Sequence, residues 1–199
     1  MAQGDEVARI LFKKIGQGDR QKVKKKSNVA QTGGGARDFR FGRFKEIEDA
    51  VRAMFPVVLK AGRRRKKQKV MLDIYKGQFH WHDKETDELL TREAIFEPPT
   101  TARGSEGRLT RVPEYSCFKT IPPETPGNRI LVLLIQRKDG SVWPHLVEEK
   151  TLSEPGAWDP KVAKVLTACL AAKRPKNHAP VGYYDFTSDE SYCNGKPLQ

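Results

Sequence analysis

The chain has no apolar run long enough to cross a membrane. Its longest, Ile130 to Ile135, is strand-length, where a spanning helix needs roughly 20 residues. The opening MAQGDEVARI lacks a cationic stretch followed by an apolar one, so no secretory leader is expected. Cysteine is scarce. Cys117, Cys169 and Cys193 are far apart and odd in number, a pattern that predicts neither a disulfide framework nor a zinc site. Reduced thiols in a cytoplasmic protein are the expectation. Acid is in deficit too: 25 Asp and Glu stand against 37 Lys and Arg, for a formal net charge of +12. That balance says nothing about fold but favours a polyanionic partner, nucleic acid or an acidic membrane surface. With no spanning segment, nucleic acid is the stronger of the two.

What is present suffices for one core. A chain of 199 residues, 37% hydrophobic, favours a single domain with extensions over two full domains. The charge is clustered. Lys60 to Lys69 reads KAGRRRKKQK, seven cations and no acid, and a second basic stretch spans Lys13 to Lys26 around a lone Asp19. Between these lie β patterns. Val7 to Lys14 is rich in β-branched and aromatic residues, and Ala36 to Phe41 alternates charged with small or aromatic ones. Val70 to Tyr75 and Gln78 to Asp83 flank Lys76-Gly77, a candidate hairpin turn; Glu93 to Glu97 and Gly107 to Val112 are shorter strands. The clearest hairpin turns at Asp139-Gly140 between Arg129 to Arg137 and Ser141 to Glu148. Phe44, Ile47, Val51, Met54 and Phe55 recur at helical spacing up to Pro56. Asp159-Pro160 is an N-cap with proline at the first helical position, followed by Val162, Val165, Leu166, Cys169 and Leu170 on one face. About seven strands with two peripheral helices predict a mainly β (α+β) barrel-like domain over residues 1–155. A C-terminal helix and an irregular polar tail are expected over 156–199.

Three segments are candidates for binding. Gln31-Thr32-Gly33-Gly34-Gly35-Ala36-Arg37, preceded by Lys24, Lys25, Lys26 and Asn28, offers exposed amides and flexible cations that suit phosphates and base edges. No Gly-Lys-Ser/Thr follows, so it is not a nucleotide P-loop; an ordinary flexible connection is the plainer alternative. Arg103, Glu106, Arg108, Thr110 and Arg111 form the second. Arginine forks onto guanine and glutamate accepts from cytosine, so a carboxylate among arginines suits base reading, whereas a solvated strand with local ion pairs explains it equally. Arg63, Arg64 and Arg65 belong to the third, which would grip phosphate without reading sequence.

The order of these motifs resembles the N-terminal effector-binding domain of EcoRII-type restriction endonucleases. The resemblance rests on a polar loop ending in Thr-Gly-Gly, a strand, a helix closing on Phe55-Pro56, further strands and the Arg103 to Arg111 segment. That domain shares a seven-stranded open pseudobarrel with the DNA-binding domains of plant auxin- and abscisic-acid-response factors. The resemblance covers roughly residues 9 to 150. It implies two arms that clasp duplex DNA, an N-arm at Lys26 to Arg37 and a C-arm at Arg103 to Arg111. Arg103, Glu106 and Arg108 would read bases, and Thr110 and Arg111 would contact backbone or support the arm. About fifty residues follow that span, too few for the nuclease domain of such enzymes, so a separate nuclease or effector protein would supply any cleavage.

The leading expectation is therefore a non-catalytic double-stranded DNA-binding protein, in restriction or phage defence, with no cofactor and no metal. One alternative is a small metal-dependent endonuclease built on His80 and His82, which share a strand face near Asp83, Glu85, Asp87 and Glu88. Another is a basic RNA-binding protein, for which Phe39 and Phe41 are the aromatic residues in suitable alternation.

Overall fold

The computed structural model describes residues 7–23, 38–42, 45–65, 68–98, 106–172 and 179–198. In chain order these form β1 (Val7–Lys14), α1 (Gln17–Val23), β2 (Phe39–Phe41), α2 (Lys45–Met54), β3 (Val57–Arg65), β4 (Gln68–His82), β5 (Leu89–Glu97) and β6 (Gly107–Leu109). Then come β7 (Ile130–Arg137), β8 (Val142–Glu148), α3 (Pro160–Ala171), β9 (Val181–Asp185), β10 (Glu190–Cys193) and β11 (Lys196–Pro197). The protein is mainly β: a single open, curled sheet ordered β11, β10, β9, β1, β7, β8, β4, β5, β6, β2, with β3 paired to β4 off that path. The expected seven strands and two helices become eleven strands and three α-helices among the described residues.

The sheet consists of two antiparallel blocks. They meet at one parallel bridge, Phe79 to Val142. A core inside the curl holds the blocks together, drawing Leu11 from β1, Phe39 and Phe41 from β2, Val51 and Met54 from α2, and Phe79 and Trp81 from β4. A second core lies on the opposite face, where α3 packs Leu166 and Leu170 over Phe12, Leu131 and Leu133. Strand β7 belongs to both. Ile130, Val132 and Leu134 enter the first core and Leu131 and Leu133 the second, which is why the longest apolar run of the sequence does not alternate.

Local signals explain several elements. The Asp139-Gly140 hairpin joins β7 to β8, with Gly140 at φ +86, a backbone region that glycine reaches without strain. The Asp159 carboxylate accepts from the amides of Lys161 and Val162 at 2.8 and 3.3 Å, with Pro160 in the first turn of α3. These are the cap and the proline that the sequence predicts.

Three expectations are overturned. Lys76-Gly77 is no turn, because β4 runs unbroken through it. Gly77 is needed for packing: a Cβ there would meet the Met54 carbonyl oxygen at 3.0 Å and Phe55 Cδ1 at 3.1 Å. The tail from Tyr183 is not irregular. β9 pairs with β1 from Arg9–Asp185 to Lys13–Val181, and β10 and β11 extend the sheet beyond it. Cys169 and Cys193 are joined in a disulfide across 24 residues, with Cα atoms 5.4 Å apart. Spacing along the chain could not reveal that α3 and β10 meet in the second core. With that bond, cysteine usage no longer argues for a reducing compartment. Among the described residues, no helix is long and apolar enough to cross a membrane.

Candidate nucleic-acid interface

The pairing of β2 with β6 brings the roots of the two expected arms together. Their register is Phe39–Leu109, Arg40–Arg108 and Phe41–Gly107. Phe39, Phe41 and Leu109 point into the core, so the intervening Arg40 and Arg108 share the outer face. Two like charges directly opposite would repel. The sequence supplies the remedy. Glu106 lies 3.3 Å from Arg40, and Asp38 lies 3.7 Å from Arg108. On its other side Arg108 stands opposite Glu97 of β5. The result is a strand-bridging charge cluster, with the Arg108 side chain only 12% exposed. A base contact by Arg108 requires it to swing away from Asp38.

Thr110 and Arg111 occupy different settings. The Thr110 amide and hydroxyl both donate to the Ile95 carbonyl, at 2.9 and 3.2 Å, which ties the segment to β5. Arg111 is exposed and adopts φ 58 before a short 3-10 turn at Val112–Glu114. That left-handed conformation is uncommon for a residue with a Cβ. Lys24, Lys25, Lys26, Asn28, Gln31, Thr32, Gly33, Arg37 and Arg103 lie outside the described residues.

The basic segment Lys60 to Lys69 has a definite backbone. β3 and β4 pair antiparallel from Val57–Lys76 to Arg65–Gln68. Pairing of β4 to β5 begins at Tyr75. Beyond that point the described sheet is a two-stranded ribbon of seven residue pairs, Leu59–Ile74 to Arg65–Gln68, about 23 Å long at about 3.3 Å per residue. Arg63, Arg64 and Arg65 lie on its distal half; their side chains lie outside the described residues. Nearer the sheet, Lys60 pairs with Asp73, while Val57, Val58, Leu59 and Met71 are exposed. The charge run was legible in sequence; its presentation on a ribbon was not.

Not every cation faces outward. Lys13 is buried, with Nζ 2.9 Å from Asp19 Oδ2 and 5.6 Å from the centre of the Phe39 ring. Lys14 pairs with Glu124 at 2.6 Å, and Arg20 donates to the carbonyls of Ile121 and Pro122. The first part of the second basic stretch is therefore structural.

The histidines are likewise engaged. His80 Nδ1 lies 3.0 Å from Thr91 Oγ1, and His82 Nδ1 lies 3.0 Å from the Asp87 carbonyl. Both rings sit beside Trp143, at 5.7 and 6.0 Å between centres. Asp83 accepts from the amides of Glu85 and Thr86 at 3.0 and 3.4 Å. Those donors, Glu85 foremost, hold its carboxyl below the usual carboxylate range. Asp83 to Glu88 is thus the turn between β4 and β5. No group of three His, Cys, Asp or Glu suited to a metal occurs among the described residues. Phe39 and Phe41, the candidate stacking platform for RNA, are fully buried. No protein-family model, curated protein or solved structure matches the chain.

Proposed function

We propose that the chain is a non-catalytic double-stranded DNA-binding protein, with the β3–β4 ribbon as its main phosphate-gripping element. The observation that carries this reading is the ribbon's backbone. It gathers a segment with seven cations and no acid onto a two-stranded arm that runs beyond the remainder of the described sheet. A two-stranded ribbon fits the major groove of B-DNA, and cations along it release counterions from phosphates wherever it docks. That grip is independent of sequence.

Reading of a short sequence, or of its modification, belongs to the β2–β6 edge and the segments that lead into it. There Arg40, Glu106 and Arg108 offer the donors and acceptor that base edges match. Their mutual pairing supports a readout that exchanges internal ion pairs for base contacts. In a restriction or phage-defence setting, a separate nuclease or effector protein would act on the bound duplex.

The direct test is fluorescence anisotropy of a labelled duplex of random sequence, titrated with protein at several salt concentrations. Binding at low salt that weakens linearly in log–log form is expected. Absence of binding to any duplex at low salt would refute the proposal. Selection of duplexes from a random pool, methylated and unmethylated, then tests readout. A flat outcome would leave phosphate gripping alone.

A further inference from the structure

The outer face of the sheet carries a cleft of about 910 Å³ between the ends of β1, β4, β7 and β8 and the turn that leads into α3. All three tryptophans of the chain, Trp81, Trp143 and Trp158, line it. Each indole N–H is already satisfied within the protein. Trp81 donates to Ser116 at 2.8 Å, Trp143 to Ser141 at 2.9 Å and Trp158 to Thr151 at 3.1 Å. The rings are therefore fixed in orientation. Trp81 is buried in the first core, so the carbon surface offered to a ligand for stacking is that of Trp143 and Trp158, both partly exposed.

The charged lining is one-sided. Its cations are Arg137 and Lys84. The Arg137 guanidinium carbon lies 4.3 Å from the centre of the Trp143 ring, a cation–aromatic contact that holds the charge at the wall. The acid in the lining, Asp159, is taken up by the α3 cap described above. Burial pushes the Cys117 thiol up to about 12, so it stays protonated at neutral pH and gives no thiolate nucleophile. Aromatic walls, a cationic rim and no uncommitted acid suit a ligand that is planar and anionic. The size falls within the range of small-molecule sites.

We infer that this cleft binds a single nucleotide, its base against the indole walls and its phosphate at Arg137 and Lys84. The site stands apart from the duplex-binding ribbon. Trp81 and His82 end β4, whereas the ribbon tip adjoins Gln68 at its start, about 45 Å away along the strand. A free mononucleotide and a nucleotide unstacked from a duplex present the same chemistry, and the experiment separates them.

Because every tryptophan lines the cleft, intrinsic fluorescence reports occupancy directly. The full chain is titrated with each common nucleoside 5′-monophosphate, with inorganic phosphate, and with short duplexes that do or do not contain one unpaired base; calorimetry provides an independent affinity. Saturable binding of at least one mononucleotide, tighter than inorganic phosphate, is expected. Arg137→Ala should weaken it at least about tenfold. Lys84→Ala, on the exposed turn, should weaken it as well and guards against misfolding of the first variant. Response only to the duplex with an unpaired base would assign the nucleotide to DNA. No saturable response to any nucleotide, or equal affinity for inorganic phosphate, would overturn the proposal. Neither result depends on whether fully paired duplex binds.

Discussion

Arginine and lysine occupy two different settings in two parts of this molecule. Around β1, β7 and α3 they are structural. Arg129 donates to Glu149 through its backbone amide at 3.0 Å and through its guanidinium, and reaches the Leu170 carbonyl at the end of α3 at 2.7 Å. Arg9 pairs with Asp185 at 3.4 Å, and Lys13 with Asp19. The ribbon segment Lys60 to Lys69 instead holds seven cations and no acid. Structural cations and the surplus to which the proposed duplex binding is assigned are thus drawn from one pool of side chains and kept apart in space. Net charge alone would have counted both as binding residues.

That separation can be broken from either side, and the largest effects belong to the packed block. Leu133→Ala removes a fully buried side chain from the second core and should cost about 2–5 kcal/mol, read by urea unfolding. Duplex affinity of the folded variant should stay unchanged; a matching fall in affinity would show that the two regions are coupled. Glu149→Gln should cost about 1–3 kcal/mol, because the half-buried Arg129 is left with a weaker, neutral acceptor. The pH dependence has a definite sign. Arg129 holds the Glu149 carboxyl below its ordinary range. Its contribution is therefore complete above the unfolded carboxylate pKa of about 4.3 and is lost as pH falls through the lower folded value. In Glu149→Gln that part of the acid unfolding limb should vanish.

At the β2–β6 edge the expected effect is selective. Arg108→Ala should relax preference at one base position, a loss of about 1–3 kcal/mol for the preferred duplex. Equal weakening toward every duplex would remove Arg108 from readout. Asp38→Ala sharpens the point, since it deletes the carboxylate 3.7 Å from Arg108 and should strengthen duplex binding. The smallest effect is Asp159→Ala, about 0.5–2 kcal/mol from loss of the α3 cap, again visible in unfolding and silent in DNA binding.

How far these elements were legible depended on whether their cause was local. β1, the Asp139-Gly140 hairpin and the capped start of α3 follow from neighbouring residues, and they stand where the sequence places them. β4 was divided at Gly77 because a glycine inside a strand imitates a turn signal, whereas its cause is the approach of Met54 and Phe55 from α2 and its end. β9 escaped because it gains its place by pairing with β1, more than 170 residues earlier for Tyr183 against Leu11, and β10 and β11 then add to the edge that β9 provides. The same holds at the candidate interface. Glu106 and Arg108 drew attention as charges, but Asp38, Arg40 and Glu97 became their neighbours only through strand register. The cleft gave no sequence signal, since its three tryptophans come from β4, β8 and the turn before α3.

The ribbon is tested most directly by the salt dependence of duplex binding in a variant carrying Arg63→Ala, Arg64→Ala and Arg65→Ala together. Each phosphate contact contributes about 0.9 to the slope of log affinity against log salt. The triple variant should therefore lose up to about 2.7 of that slope and bind cognate and random duplexes more weakly alike, with unfolding stability nearly unchanged. An affinity and slope equal to those of the parent protein would contradict the assignment of the ribbon as the phosphate-gripping element.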